Sequence, residues 1–180
     1  MPKRKDIAIW IAILGGGIGF FFFYGIAAEM MRWFHDSVWW QCKNFVNFQK
    51  LGYVATVSSD GTPNLSPKGT IAILDDSRLV FANIRSPKTI ENLTKNPSIE
   101  INVIDPFSRL GYRFKGLSKI LSDGDDFKTI LDYFRKNGVK SEISHIVVVD
   151  VNSFSEITSP SYDLGLKRDD LVKKWKQYYS

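Results

Sequence analysis

Residues 79–97 read LVFANIRSPKTIENLTKNP, and the spacing of their apolar positions changes once along the way. Leu79, Val80, Phe81 and Ala82 form a continuous apolar run, whereas further on the apolar residues recur at Ile90 and Leu93. The first pattern is that of a strand and the second that of one face of a helix. Ser86-Pro87 marks the junction. Serine is a good N-cap, and proline suits the first helical position because its missing N–H would have no intrahelical partner there. Pro97, after Lys95-Asn96, ends the element. A helix N-terminus points free N–H groups outward at partial positive charge, and Arg85, Lys88 and Thr89 stand beside this one, a chemistry suited to a phosphate. A capped surface helix with ordinary basic neighbours satisfies the same local pattern.

Short strands punctuated by turns surround this unit. Upstream, LGYVATVS (Leu51–Ser58) alternates loosely, Ser59-Asp60-Gly61-Thr62 is a hairpin signal, and Pro63–Lys68 leads into a strand TIAIL (Thr70–Leu74). Downstream come IEINVI (Ile99–Ile104), a turn at Asp105-Pro106, and the strand GYRFKGLSKIL (Gly111–Leu121). Asp125-Asp126 open a helix whose Phe127, Ile130, Leu131 and Phe134 share one face and which Gly138 closes. A strand returns at HIVVVDV (His145–Val151), and a last helix beginning near Asp169-Asp170 carries Leu171, Val172, Trp175 and Tyr178. About six mostly antiparallel strands with hairpin-length connections predict a mainly β chain, a closed or nearly closed barrel with peripheral helices.

Before this domain, Ile7–Ala28 is a run of 22 residues without a charge. At 1.5 Å per helical residue it is about long enough for a hydrocarbon core of roughly 30 Å, and it is predicted to be a transmembrane helix. A secretory signal is the rival reading, with Gly25-Ile26-Ala27 as a small-x-small cleavage pattern. A dinucleotide fingerprint is excluded, because Phe20 and Phe22 stand where the last glycine of G-x-G-x-x-G would fall. Gly15 and Gly19 form a small-xxx-small pair instead. Lys3, Arg4 and Lys5 outweigh Arg32 and Lys43, so the charge rule places the N-terminus in the cytoplasm and the barrel outside. Residues 29–46, with Trp33, Trp39 and Trp40, read as a juxtamembrane aromatic segment or as aromatics packed on the domain, which is expected to occupy 47–180.

Composition excludes several classes. With 180 residues, 44% of them hydrophobic and 14% aromatic, the chain can bury a core and is not disordered. The net charge is +5, but Lys3, Arg4, Lys5 and Asp6 hold +2 of it, and no basic stripe of a nucleic-acid binder follows. Cys42 is the single cysteine, so there is neither an intrachain disulfide nor a Cys-rich metal site. His35 and His145 are the only histidines, and no spacing suggests a metal centre.

Taken together, LGYVATVSSDGTPNLSPKG, LVFANIRSPKTIENLTKNP, INVIDPFSRLGYRFKG and TSPSYDLGLKRDDLVKKW resemble, in that order, the pyridoxamine 5′-phosphate oxidase-related FMN-binding split-barrel proteins. The resemblance covers roughly Asn47 to the C-terminus. It implies a six-stranded split β-barrel, a homodimer, and FMN in a cleft between the subunits. It also implies that the flavin phosphate is met by a basic residue on the second strand and by basic or hydroxyl residues at the helix start after the fourth. By position these are Lys68, then Lys88 with Thr89, while Ser66, Asn83 and Arg85 line the same path. Tyr112 and Arg113 would face the flavin ring or its substrate. The oxidases that act on pyridoxine phosphate carry a C-terminal segment with substrate-holding Arg and His residues, whereas this chain ends in VKKWKQYYS, so another substrate is expected. The implied function is a membrane-anchored FMN-dependent oxidoreductase moving electrons or hydride to or from a small molecule or redox partner, the flavin carrying the chemistry. The alternative, from another class, is a module that holds a flavin, the deazaflavin F420 or haem without turnover, with His145 as the only candidate haem ligand in the barrel.

Overall fold

The computed structural model describes residues 39–180, so the apolar run 7–28 and residues 29–38 of the aromatic segment lie outside the described residues. Among the described residues no helix is long and apolar enough to cross a membrane. Helix α1 (39–49) leads into β1 (Gly52–Val57), β2 (Pro63–Lys68), β3 (Ala72–Ile73) and β4 (Arg78–Asn83). Then follow α2 (Pro87–Lys95), β5 (Ser98–Ile104), β6 (Gly111–Leu121), α3 (Gly124–Lys136), β7 (His145–Ile157), α4 (Pro160–Asp163) and α5 (Arg168–Tyr179). The strands form one antiparallel sheet in the order β2-β1-β5-β6-β7-β4-β3.

The two ends of that order are joined in sequence by Gly69-Thr70-Ile71 alone. In a flat sheet, six inter-strand steps of about 4.8 Å would hold β2 and β3 roughly 29 Å apart. The chain from Lys68 to Ala72 reaches only about 15 Å. The sheet must therefore curl into a barrel. Thr70 pins its seam, because its Oγ1 accepts from the Ala82 N–H at 3.0 Å and donates to the Ala82 carbonyl at 3.3 Å. A side-chain hydroxyl stands there in place of a backbone ladder, and the barrel is split at that point.

Seven strands replace the expected six. By local pattern PNLSPK reads as a lead-in, whereas the family resemblance puts Lys68 on the second strand, and β2 is that strand. It is an edge strand paired only with β1, where a missing N–H on the free side costs nothing. The expected strand at 70–74 shrinks to the two residues of β3, since Thr70 is taken up by the seam. Conversely β7 runs on to Ile157, past the expected end at Val151. Helix α3 has Asp123 as its N-cap, with Asp125 and Asp126 in its first turn.

Strands β4 and β7 are buried on both faces. Val80, Ala82, Ile146 and Val148 pack with Ile130 and Phe134 of α3, while Leu79, Phe81, Val147 and Val149 point to the other face. This explains why both strands read as continuous apolar runs rather than alternating ones. Residues Cys42–Ser180 form one compact unit, which starts ahead of the expected residue 47. The cause lies in α1, where Cys42 and Val46 are fully buried and the Phe45 ring meets Tyr112 edge-on at 5.5 Å. At least these residues of the 29–46 segment pack on the domain.

Candidate functional site

Period-two alternation along β2 sends Pro63, Leu65 and Pro67 outward and Asn64, Ser66 and Lys68 inward. Lys68 ends this inward row only 5% exposed. Its Nζ donates to Ser66 Oγ at 2.9 Å and lies 5.8 Å from the centre of the Phe81 ring. Among the described residues no carboxylate pairs with it. Burial pushes the ammonium down from its usual 10.5 to about 8. A buried cation without a counter-charge is costly to the ligand-free protein and favourable to an incoming anion.

Ser66 in turn meets Ser86 of the β4–α2 junction, their hydroxyl oxygens 3.1 Å apart. Ser86 holds the N-cap position expected of it, yet its side chain makes no cap hydrogen bond. That hydroxyl lies on β2 instead, across the split. An open cleft of about 550 Å³ results, lined by Ser66, Lys68 and Thr70 on one side and by Ala82, Arg85 and Ser86 on the other. Its two cations and two serine hydroxyls suit a phosphate, and its volume falls in the range of small-molecule sites.

The remaining sequence-derived residues are distributed around this cleft rather than in it. Lys88 is half-exposed and pairs with Glu91 at 3.1 Å, which Lys95 also holds at 3.0 Å. Thr89 lies buried under α2, its Oγ1 without a hydrogen-bond partner. Asn83 turns away, its Nδ2 donating to Ser144 Oγ at 3.2 Å. Arg113 stands on the outer face of the sheet, held by Glu100 at 3.1 Å and donating to Asn102 at 3.3 Å. Tyr112 points the other way, into the core beside Phe114. His145, opposite Asn83, places Nδ1 3.1 Å from Ser144 Oγ and is not part of the cleft lining. The structure thus brings Ser66, Lys68 and Arg85 together and adds Thr70 and Ser86. Ser86 reads only as a helix cap and Thr70 only as a strand residue, so neither carries a local signal for the cleft.

A family model described as pyridoxamine 5′-phosphate oxidase matches residues 39–152. HupZ from Group A Streptococcus is a similar solved structure, with 28% identity, 66% of this chain and 93% of that one covered, and a TM-score of 0.60. An FMN-binding protein from Syntrophomonas wolfei shares the fold at 14% identity, covering 77% of this chain and 98% of that one with a TM-score of 0.64. General stress protein 26 from Bacillus anthracis does so at 17% identity, with 67% and 93% covered and a TM-score of 0.55. An uncharacterized protein from Methanocaldococcus jannaschii is 27% identical over 78 residues, which are 42% of this chain and 52% of that protein. The chain thus spans about half the length of the curated relative it matches.

Proposed function

The chain belongs to the pyridoxamine 5′-phosphate oxidase family, and on that premise we propose that it is an FMN-binding oxidoreductase whose flavin phosphate lies in the Lys68–Arg85 cleft. The observation that carries this reading is the buried, carboxylate-free Lys68 at the seam, an anion site in charge and burial. Lys68 and Arg85 would hold the phosphate, with Ser66 and Ser86 donating hydroxyls. Thr89 has a hydroxyl free of other partners, and Lys88 is tied only by an exposed ion pair, which costs little to break. The bound flavin would supply electron or hydride transfer, and the protein its orientation and electrostatic setting.

The cleft is open on one side, and the adjoining outer face of β1 and β2 is unusually apolar. Tyr53 faces Pro67 across the strands, Ala55 faces Leu65, and Val57 faces Pro63, with Leu65 65% exposed. A second copy of this chain covering that face is part of the proposal, with the flavin between the two subunits and Arg113, on the same outer side of the sheet, near the interface. Anchoring by residues 7–28 is the other part, with the N-terminus in the cytoplasm and the barrel on the opposite side of the membrane, a reading supported by the flanking charges.

Extraction of the native cofactor and its identification by mass tests the class directly. FMN is the expected product. F420 would redirect the reading to a deazaflavin, and haem would end it. In titrations of the stripped protein, FMN should bind much more tightly than riboflavin. Lys68→Ala and Arg85→Ala should each weaken FMN by roughly ten- to a hundredfold, the loss of one charge-assisted hydrogen bond, and leave riboflavin nearly unchanged.

A further inference from the structure

Helix α2 is poorly anchored by apolar contacts. Of its nine residues only Thr89, Asn92 and Leu93 are buried, and two of these three are polar. Hydrophobic burial is non-directional, so a helix seated on buried Leu93 and half-buried Ile90 gains little definition of its position along the sheet from apolar contact. Hydrogen bonds are directional. Here they converge on Asn92, which is 1% exposed. Its Nδ2 forks to Thr56 Oγ1 at 3.1 Å and Ser58 Oγ at 3.4 Å, both on the inward row of β1 or just beyond its end. Thr56 is itself buried, and its Oγ1 also accepts from Asn64 Nδ2 of β2 at 3.1 Å. Both lone pairs of that one hydroxyl are therefore occupied, by an amide from the helix and an amide from the strand.

Two polar rows face each other across this joint. On β2, Asn64, Ser66 and Lys68 follow at intervals of two residues, and from the N-cap of α2 onward Ser86, Thr89 and Asn92 follow at intervals of three. Ser66 meets Ser86 at the cleft, and Asn64 meets Asn92 through Thr56 about 1.7 helical turns further along. The second junction lies outside the cleft lining. Its geometric effect is to tie the helix to the strand that carries Lys68.

We propose that Asn92, acting through Thr56, is a positioning residue that sets the height of the first turn of α2 over Lys68, and with it the preference for a phosphorylated over an unphosphorylated ligand. This rests on the reading of the cleft as a phosphate site. A displacement of a fraction of an ångström at the joint is carried along a rigid helix to Ser86 and the first-turn N–H groups, where charge-assisted contacts depend steeply on distance. The part of the ligand that does not touch this turn is indifferent to it.

The test compares Kd for FMN and for riboflavin in the full-length chain, with melting temperatures recorded alongside. Thr56→Val keeps the shape and removes the acceptor. It should weaken FMN by about tenfold, the scale of one net hydrogen bond, and move riboflavin less than twofold. Thr56→Ser restores the acceptor and should restore the wild-type ratio. Leu171→Ala, a buried residue of α5 outside this joint and the cleft lining, should lower the melting temperature at least as far as Thr56→Val and shift both ligands by a common factor, which separates positioning from general loosening. If Thr56→Val fails to fold, Asn92→Ala is read in the same way. A wild type that prefers FMN, with variants that keep that preference in full, overturns the positioning role alone. A wild type that binds FMN and riboflavin equally overturns it together with the phosphate site.

Discussion

Lys68 sets stability against binding. Its pKa is about 8 in the folded chain against an ordinary 10.5, because burial disfavours the charged form. Below pH 8 the lysine is protonated in both folded and unfolded chains, so the cost of burying the charge is present in full. Between about 8 and 10.5 the unfolded chain binds more protons than the folded one, and the stability of the ligand-free protein should rise with pH across that window. Thermal melts from pH 7 to 10 should show this rise in the wild type and its absence in Lys68→Met. At pH 7 the Met variant should be the more stable of the two, although it binds FMN worst. Phosphate binding should reverse the shift, so FMN association near pH 8.5 should take up protons, read as a buffer-dependent calorimetric heat. A Lys68→Met variant whose ligand-free melting temperature falls at pH 7 would show that the lysine is compensated.

At the scale of elements, the barrel depends on two close approaches. Strands β6 and β7 slip register between Lys115 and Gly116, and a Cβ on Gly116 would lie 2.1 Å from the Asp150 carbonyl oxygen. The collision is with backbone, which cannot move aside as a side-chain tip would. Gly116→Ala should therefore destabilise by about 1–3 kcal/mol in urea unfolding, the usual cost of overpacking. The seam is the second approach. Thr70→Val would leave the Ala82 N–H and carbonyl without their partner, at a cost of about 1–3 kcal/mol, whereas Thr70→Ser should retain both bonds. Since Thr70 and Ala82 also line the cleft, the Val variant should weaken FMN as well, a joint effect on urea midpoint and Kd that Gly116→Ala lacks.

At the scale of the molecule, the part of α1 from Cys42 onward belongs to the barrel. A fragment beginning at Cys42 should melt cooperatively, while one beginning at 47 loses Cys42, Phe45 and Val46 and should expose the core they cover. Cys42 reports on this directly. It is the single cysteine, and burial pushes its thiol up to about 12, so it should resist thiol reagents until α1 leaves its seat. Rapid labelling of the intact protein at pH 8 would contradict that seating. A charge at Leu65, as in Leu65→Asp, should turn the proposed dimer into a monomer in light scattering and weaken FMN, because the face it marks is then repelled from its copy.

Local chemistry was legible in the order of residues wherever neighbours in sequence decide conformation. The α2 start at Ser86-Pro87, the full extent of β6, the amphipathic face of α3 and the apolar runs of β4 and β7 all follow from periodicity and capping. So did the antiparallel β class, from hairpin-length connections. Tertiary structure alone decided what depends on contacts distant in sequence. PNLSPK becomes a strand only because β1 offers it an edge, and TIAIL gives up most of its strand because Thr70 closes a seam with Ala82. Lys68 and Arg85 become one cleft because curling of the sheet brings β2 to the start of α2, whereas Lys88 goes to Glu91 one helical turn on and Arg113 to Glu100 across the β5–β6 pairing. Asn92 and Thr56, 36 positions apart, carried no local signal at all, since a polar residue inside a helix and a threonine in a strand acquire meaning only when burial removes water as their alternative partner.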